Sequence, residues 1–149
     1  MCSSDLTTGF HAPGNGASPY YNVFVACHVA GVTPHAANGC VGFDFTSDEP
    51  DQMQSANANQ VYGGRISSCQ TAVRCLGTGN VFHGQVLESN DVGYLFDLCP
   101  ARKPLAQRGT LNDVFGCYNE WVRIPIRQAH PDCYITAQLT LVTGYEQVF

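Results

Sequence analysis

Short apolar runs separated by polar and Gly-containing segments dominate the chain from residue 20 onward. Residues 20–26 are β-branched and aromatic, and residues 41–45 alternate so that Asp44 faces outward, which predicts a strand in each segment. Residues 121–126 predict a further strand. Residues 134–142 alternate over the whole segment and predict a strand with one buried and one solvated face.

Residues 81–87 and 92–98 predict a pair of strands joined by the polar turn at 88–91. Because the strands, about six in all, lack regular helical crossovers, we expect an antiparallel sheet, a sandwich or a small closed barrel. The chain shows neither an internal repeat nor a linker. We therefore expect one domain over residues 1–149, in which residues 1–19, rich in Gly, Ser, Thr and Pro, form an extended N-terminal arm.

One or two short helices complete the expected fold. Residues 110–121 begin with Thr110 as an N-cap, and apolar residues follow it at helical spacing. These apolar residues are Leu111, Val114, Phe115 and Tyr118. Residues 47–60 fit a loop or a short helix, and residues 67–76 fit a helical turn or a strand.

Charged residues make up 13% of the chain, against about 25% in a typical globular protein. The net charge is −5, Lys103 is the only lysine, and the arginines are scattered, which argues against nucleic-acid binding. No apolar run approaches the roughly 20 residues that span a bilayer. The first residues lack a signal-peptide pattern, so we interpret Met1 as an initiator added to a mature chain.

The eight cysteines are the strongest compositional signal. Their number is even, and no C-x-x-C pair is present, which disfavours a zinc ribbon or thioredoxin chemistry and favours disulfides in a secreted, extracellular protein. We expect four disulfides, with Cys27 paired to Cys40 across the intervening turn, and otherwise leave the connectivity open. The set is Cys2, Cys27, Cys40, Cys69, Cys75, Cys99, Cys117 and Cys133.

Candidate functional residues are few. Asp97, in a predicted apolar strand, is either a poised catalytic acid or a strand-end carboxylate satisfied by backbone donors. Four aromatic residues either pack in the core or form a face that stacks on sugars: Tyr20, Tyr21, Phe43 and Phe45, of which the first three are the candidate ligand-binding residues. His83 and His130 would be the acid and base of an extracellular nuclease.

A metal or cofactor site is not expected. Cys27, His28, His35 and Cys40 carry zinc-capable side chains, but adjacent Cys27 and His28 would point to opposite faces of a strand. Phosphate-binding, dinucleotide-binding and nucleophile-elbow motifs are missing from the sequence.

The segment VYGGRISSCQTAVRCLGTGN, followed by a strand and YLFDLCP, resembles plant natriuretic peptide-like and expansin-like proteins. Gly109-Thr110-Leu111-Asn112-Asp113 is similar to the Gly-Thr-Ile-Asp stretch of that family, and residues 145–148 resemble its closing strand. The resemblance implies a six-stranded double-psi β-barrel that binds or loosens cell-wall polysaccharides. It places the functional acid at Asn112 or Asp113.

The low lysine content, the cysteines and the missing enzyme motifs also resemble small secreted effectors of plant-associated fungi. We therefore expect a non-enzymatic secreted effector or apoplastic protein that binds a host protein or a cell-wall glycan. The alternatives are a wall-active, expansin-like or lytic barrel that uses Asp97 or Asp113, and the extracellular nuclease.

Overall fold

A computed structural model describes residues 8–11, 21–31, 39–46, 56–98 and 110–142, and these contain thirteen β-strands and no helix. The strands are β1 (Thr8–His11), β2 (Val23–Val25), β3 (His28–Ala30), β4 (Val41–Phe45), β5 (Gln60–Tyr62), β6 (Arg65–Ser67), β7 (Thr71–Cys75), β8 (Val81–His83), β9 (Val86–Glu88), β10 (Val92–Phe96), β11 (Thr110–Glu120), β12 (Ile124–Gln128) and β13 (Cys133–Val142).

All strand pairs are parallel, and the strands wind into a solenoid with three walls. Wall A is the five-stranded sheet β1-β4-β7-β10-β12. The second sheet runs β2-β5-β8-β11-β9-β6-β3, and the long strand β11 pairs with β8 near its start and with β9 near its end. Wall B is therefore β2, β5, β8 and the first half of β11, and wall C is β3, β6, β9 and its second half. Strand β13 continues both walls beyond β11.

Each turn of the solenoid, or coil, stacks in register on the next. Gln60 of β5 pairs with Val81 of β8, and Arg65 of β6 pairs with Val86 of β9, each 21 residues further along the chain. A parallel pair needs a connection of a dozen or more residues, and here the rest of the coil supplies it. The architecture is a parallel β-helix.

Residues with positive φ make the corners of the coils, one at most corners and two, Gly63 and Gly64, at one of them. Within one coil these residues are five positions apart, so each short strand ends at a sharp bend. The left-handed residues are Ala58, Gly63 and Ser68 in one coil and Gly79, Gly84 and Ser89 in the next. Gly takes this conformation without steric cost, whereas Ala and Ser take it only where the surroundings enforce it.

An asparagine ladder fills the corner that precedes wall B. The side-chain amide of Asn22 donates to Oδ1 of Asn59 at 2.9 Å, Asn59 donates to Asn80 at 3.1 Å, and Asn80 donates to Asn112 at 3.1 Å. Each acceptor also takes the backbone N–H of the preceding ladder residue, at 2.9–3.0 Å. The ladder satisfies turn amides that water does not reach.

Aromatic rings from walls A and B fill the centre of the solenoid. Phe43 and Phe45 of β4 stack with centroids 6.0 Å apart, and Phe24 of β2 meets both edge-on. Phe82 of β8 packs against Phe45 and, in the next coil, against Tyr94. Offset and edge-on ring contacts of this kind add about 0.5–1.5 kcal/mol per pair beyond the burial of apolar area.

The expectation of an antiparallel sheet, a sandwich or a small closed barrel such as the double-psi barrel is wrong, because every pairing is parallel and the walls form an open-ended solenoid. Parallel strands were not expected because the sequence lacks helical crossovers, but in this fold the rest of each coil makes the crossover. The chain also contains a repeat, because β5 to β7 and β8 to β10 superpose in register with the 21-residue offset.

The predicted helix at 110–121 is strand β11. Its buried residues alternate as Thr110, Asn112 and Val114, and then as Cys117 and Asn119, because a bulge shifts the register between Phe115 and Cys117. The extra residue at the bulge interrupts the period of two and imitates helical spacing. The predicted pair at 81–98 is also wrong, because these residues form β8, β9 and β10 in three different walls.

Disulfides were also expected to stabilise the fold, but none of the six described cysteines is in a disulfide. Parallel backbone ladders and a packed core hold the described coils together instead. Five of these cysteines are buried in that core: Cys40, Cys69, Cys75, Cys117 and Cys133.

Adjacent glycines at one corner provide a matched test of the close contact between coils. An added Cβ at Gly64 would lie 2.1 Å from the backbone oxygen of Cys27, whereas at Gly63 it would meet nothing within 4 Å. Both residues have positive φ, so the backbone conformation disfavours alanine at each position. We expect Gly64→Ala to lower the free energy of unfolding by at least about 2 kcal/mol more than Gly63→Ala, as measured by urea denaturation. Equal losses would contradict the coil contact.

Removing one rung of the ladder should also be costly. Asn80→Ala takes away the acceptor of Asn59 and the donor to the backbone oxygen of Ala56, and it leaves these groups buried. We expect a loss of about 3 kcal/mol or more in the same assay. Asn57→Ala is the control, because half-buried Asn57 accepts a hydrogen bond from Thr78 N and makes no ladder contact with the other described residues. A smaller loss for Asn80→Ala than for Asn57→Ala would overturn this role of the ladder.

Candidate binding surface

The outward side of wall B presents two columns of side chains that run along the solenoid axis. They follow from strand alternation, because Phe24, Val61, Phe82 and Val114 point into the core. The first column is Val23, Gln60, Val81, Asp113 and Thr136, and the second is Val25, Tyr62, His83, Phe115 and Gln138.

A third column lies along the edge of wall B, at the residue before each ladder amide, and in its two middle coils this residue is small, Ala58 or Gly79. Tyr21 precedes Asn22 and is 81% exposed, and Leu111 precedes Asn112 and is 54% exposed. Tyr134 of β13 pairs with Leu111 and is also exposed. We refer to the three columns together as the wall B face.

The wall B face holds most of the large apolar side chains that the described residues expose. Eight such side chains are exposed, and six of them lie here: Tyr21, Val23, Val25, Tyr62, Leu111 and Tyr134. The other two are Trp121, at the corner after wall C, and Leu141, in the last coil. Clustered exposure of this kind marks an interaction surface more often than scattered single residues do.

Polar groups are interleaved with the rings on this face. The Tyr62 hydroxyl donates to Oε1 of Gln60 at 2.9 Å. The Tyr62 and His83 rings meet edge-on with centroids 6.0 Å apart. Asp113 supplies the one carboxylate of the three columns, and neither Lys nor Arg occurs in them.

The other two walls differ from wall B in their outward chemistry. On wall C, Arg65 and Glu88 form an ion pair at 2.6 Å. On wall A, the Asp44 carboxylate is 2% exposed and accepts a two-point contact from Arg74, with Nε 2.9 Å from Oδ1. Such a fork between guanidinium and carboxylate holds neighbouring strands of wall A together.

The two predicted catalytic carboxylates lie on different walls. Asp97 follows β10 in wall A, and its own Oδ1 accepts the backbone N–H of Leu98 at 2.8 Å. Asp113 is half-buried on the wall B face and pairs with Thr136. Asp97 interacts electrostatically with Cys133 on β13. Thr136, the strand partner of Asp113, lies three residues beyond Cys133, which is about 10 Å along the strand.

The structure also separates the predicted histidine pair. His83 pairs with Phe115 on β11, whereas His130 lies in the turn beside Asp132, whose oxygen accepts a hydrogen bond from Thr110 N. The five residues from Thr110 to Phe115 span about 16 Å of strand. The two imidazoles therefore cannot act on one phosphate in this arrangement.

Of the predicted sugar-stacking residues, Tyr21 is on the wall B face, Phe43 is 1% exposed in the core, and Tyr20 lies outside the described residues. The zinc-capable set includes His35, which also lies outside them. Within the described part of the chain, no group of three or more His, Cys, Asp or Glu side chains is arranged to hold a metal ion.

Burial sets the chemistry of the core thiols. It raises the pKa of Cys75 to about 12, although Asn80 donates to this sulfur at 3.3 Å. Burial likewise raises the pKa values of the Cys117 and Cys133 thiols. Cys40 and Cys69 lie side by side, with their sulfurs 3.5 Å apart. Cys2 and Cys99 lie outside the described residues.

Comparison with protein-family models, with curated proteins and with solved structures found no match for this chain. Among the described residues, no helix is long and apolar enough to cross a membrane.

Sequence reasoning did not identify Tyr62, His83 and Phe115 as neighbours. The signal was present in the 21-residue offset, which aligns Asn59 with Asn80 and Tyr62 with His83. The 32-residue step from His83 to Phe115 conceals it, because residues are inserted in the intervening coil.

The raised pKa of Cys75 predicts alkaline sensitivity. The unfolded thiol loses its proton near pH 9, whereas the folded one keeps it up to about pH 12. In this window the unfolded state binds fewer protons, so stability is fully present below pH 9 and falls as the pH rises. We expect Cys75 to contribute a decline of up to about 1.4 kcal/mol per pH unit in the free energy of unfolding.

Urea denaturation from pH 8 to pH 11 measures this decline. Cys75→Ala should make it shallower, because the variant lacks the thiol whose proton the folded state retains. Identical slopes in the wild type and Cys75→Ala would show that Cys75 is not protected in the folded state.

Proposed function

We propose that this protein is a secreted, non-enzymatic binding protein whose wall B face binds an extended, neutral cell-wall glycan. The observation that carries the proposal is the concentration of exposed apolar and aromatic side chains on one wall, six of the eight in the described residues. The argument for an extracellular protein is the even number of cysteines, although none of the six described cysteines is in a disulfide.

The spacing of the columns favours a linear polymer. Successive side chains in a column are separated by the strand spacing, about 4.8 Å, which is close to the length of one sugar ring. A glycan that lies along the solenoid axis would therefore meet a new side chain of the second column at each sugar. Tyr62 and Phe115 would pack against the C–H faces of the rings, and Gln60 and Thr136 would exchange hydrogen bonds with hydroxyls.

The charge of the face favours a neutral glycan over an acidic one. Polyanions are held by Lys and Arg, which pair with phosphates and carboxylates. The three columns contain neither residue, and Asp113 would repel an anionic chain. The partner class is therefore a neutral wall polysaccharide, for which cellulose and chitin are the available probes.

The rigidity of the scaffold supports glycan binding without catalysis. The columns are carried by strands whose register is fixed from coil to coil, so little side-chain and loop order has to be established on binding. Glycoside hydrolysis normally uses a pair of carboxylates, and the wall B face has only Asp113. A lytic activity that depends on Asp113 is the competing hypothesis, because that carboxylate shares the face with the rings.

Removing one ring should weaken binding to the polysaccharide. Tyr62→Ala takes away an exposed aromatic contact and the hydrogen bond to Gln60. We expect about tenfold weaker binding, as depletion from solution by insoluble cellulose, chitin and plant wall measures it. Trp121→Ala is the matched control, because this exposed ring lies outside the wall B face, and it should bind like the wild type.

The same samples are assayed for released sugar. Depletion without sugar release, lost in Tyr62→Ala and kept in Trp121→Ala, supports the proposal. Sugar release that Asp113→Ala abolishes would replace it with the lytic hypothesis. Failure of all three polysaccharides to deplete the protein would contradict a glycan ligand and favour a host protein, to be captured from host extracellular fluid.

A further inference from the structure

Two buried cysteines meet at the corner where wall C turns into wall A. Cys40 precedes β4, and Cys69 follows β6 one coil later, 29 residues along the chain. Their sulfurs are 3.5 Å apart, and the two residues are 7% and 0% exposed. The thiols of Cys27, Cys75 and Cys117 instead contact oxygens, those of Val25, Gly77 and Gln85 respectively.

The backbone on both sides of this pair is held in place. Thr71 N donates to the Cys40 oxygen at 3.1 Å, and Cys69 N donates to Oδ1 of Asn90 at 2.9 Å. The two residues therefore keep their separation without any bond between the sulfurs. A disulfide requires the sulfurs to approach by about 1.5 Å more.

We propose that Cys40 and Cys69 are a disulfide site that covalently joins successive coils when the protein is exposed to an oxidising compartment. This assignment differs from the Cys27–Cys40 pairing expected from the sequence. Cys27 lies at the opposite end of β3, at the corner between walls B and C, and the nearest acceptor of its thiol is the Val25 oxygen at 3.8 Å.

The oxidant is a small-molecule disulfide such as oxidised glutathione. One protein thiolate attacks a sulfur of the reagent, which forms a mixed disulfide and releases one reagent thiolate. The second protein thiolate then attacks the protein-bound sulfur, which forms the Cys40–Cys69 bond and releases the second reagent thiolate. The two thiol protons pass to the two released thiolates, and the reagent disulfide takes up the two electrons.

Trypsin separates the two cysteines cleanly. Cleavage after Arg65 and Arg74 leaves Cys69 as the sole cysteine of peptide 66–74, whereas Cys40 stays in peptide 1–65 with Cys2 and Cys27. The whole chain is equilibrated in a glutathione redox buffer, alkylated in denaturant without reduction, and digested. We expect mass spectrometry to find peptide 66–74 linked to peptide 1–65, and reduction to release it.

Three variants identify the partner of Cys69. Cys40→Ser should abolish the link and leave Cys69 alkylated, whereas Cys27→Ser and Cys2→Ser should keep the link. A wild-type peptide 66–74 recovered alone, or carrying only glutathione, would overturn the proposal. A link that survives in Cys40→Ser would overturn it as well, because Cys69 would then be bound to another cysteine.

Stability gives a second readout that does not depend on the mass analysis. A bridge that closes a loop of this length is expected to shift the unfolding equilibrium toward the folded state on the order of a hundredfold. Oxidised wild type and oxidised Cys27→Ser should both show this shift relative to their reduced forms. A Cys40→Ser protein that gains as much on oxidation would contradict the assigned site.

Discussion

Each coil can stack on the next only if the polar backbone groups at its corners find partners inside the solenoid, because water does not reach them. A left-handed residue makes the bend, and at several corners an inward amide follows it, whereas Ser68 and Gly116 are followed by buried Cys69 and Cys117. Asn59 and Asn80 do this before wall B, Gln85 reaches back to the Val61 oxygen between walls B and C, and Asn90 spans from Ile66 to Cys69 after wall C. Because these amides bond across coils, one arrangement fixes both the bend and the register of the strands.

This constraint explains why a functional face can form on so small a scaffold. Register fixed at the corners aligns side chains from residues far apart in sequence, such as Tyr62, His83 and Phe115, into one column. The aromatic core behind wall B holds the strands that carry them. The exposed rings therefore extend from a rigid wall. The spacing of the columns and the chemistry of their side chains then determine which ligand binds.

Several elements could be predicted from sequence because their patterns are local. The strands predicted at 41–45 and 134–142 are β4 and β13, and the strand predicted at 20–26 contains β2. Their predicted division into a buried and a solvated face is wrong, because all of β4 is buried and no residue from 134 to 141 is. Strand β11 could not be predicted, since its bulge shifts the alternation at Gly116. Nor could the parallel order, because three-residue strands separated by two-residue corners resemble the hairpins of an antiparallel fold until the 21-residue repeat is recognised.

For the same reason, the residues of the candidate site could be predicted from the sequence only in part. Tyr21 and Asp113 were identified as single residues, but their common face follows from register between coils. The sequence around Phe43 does not distinguish a core ring from an exposed sugar-stacking ring, and it is the packing of the assembled solenoid that buries Phe43. The cysteine count predicted oxidised export but not which sulfurs would meet, since Cys40 and Cys69 are brought together by one full coil.

The most direct test of this account is to map a soluble neutral oligosaccharide on the protein by backbone amide chemical shifts. Chitin and cellulose hexamers are titrated into isotope-labelled protein. The account predicts that the largest shifts fall on β5, β8 and residues 113–115 of β11, in one line along the solenoid axis, while β6 and β9 of wall C stay unchanged. Shifts centred on wall C or wall A, or none with either oligosaccharide, would contradict the assignment of the wall B face as a neutral-glycan site.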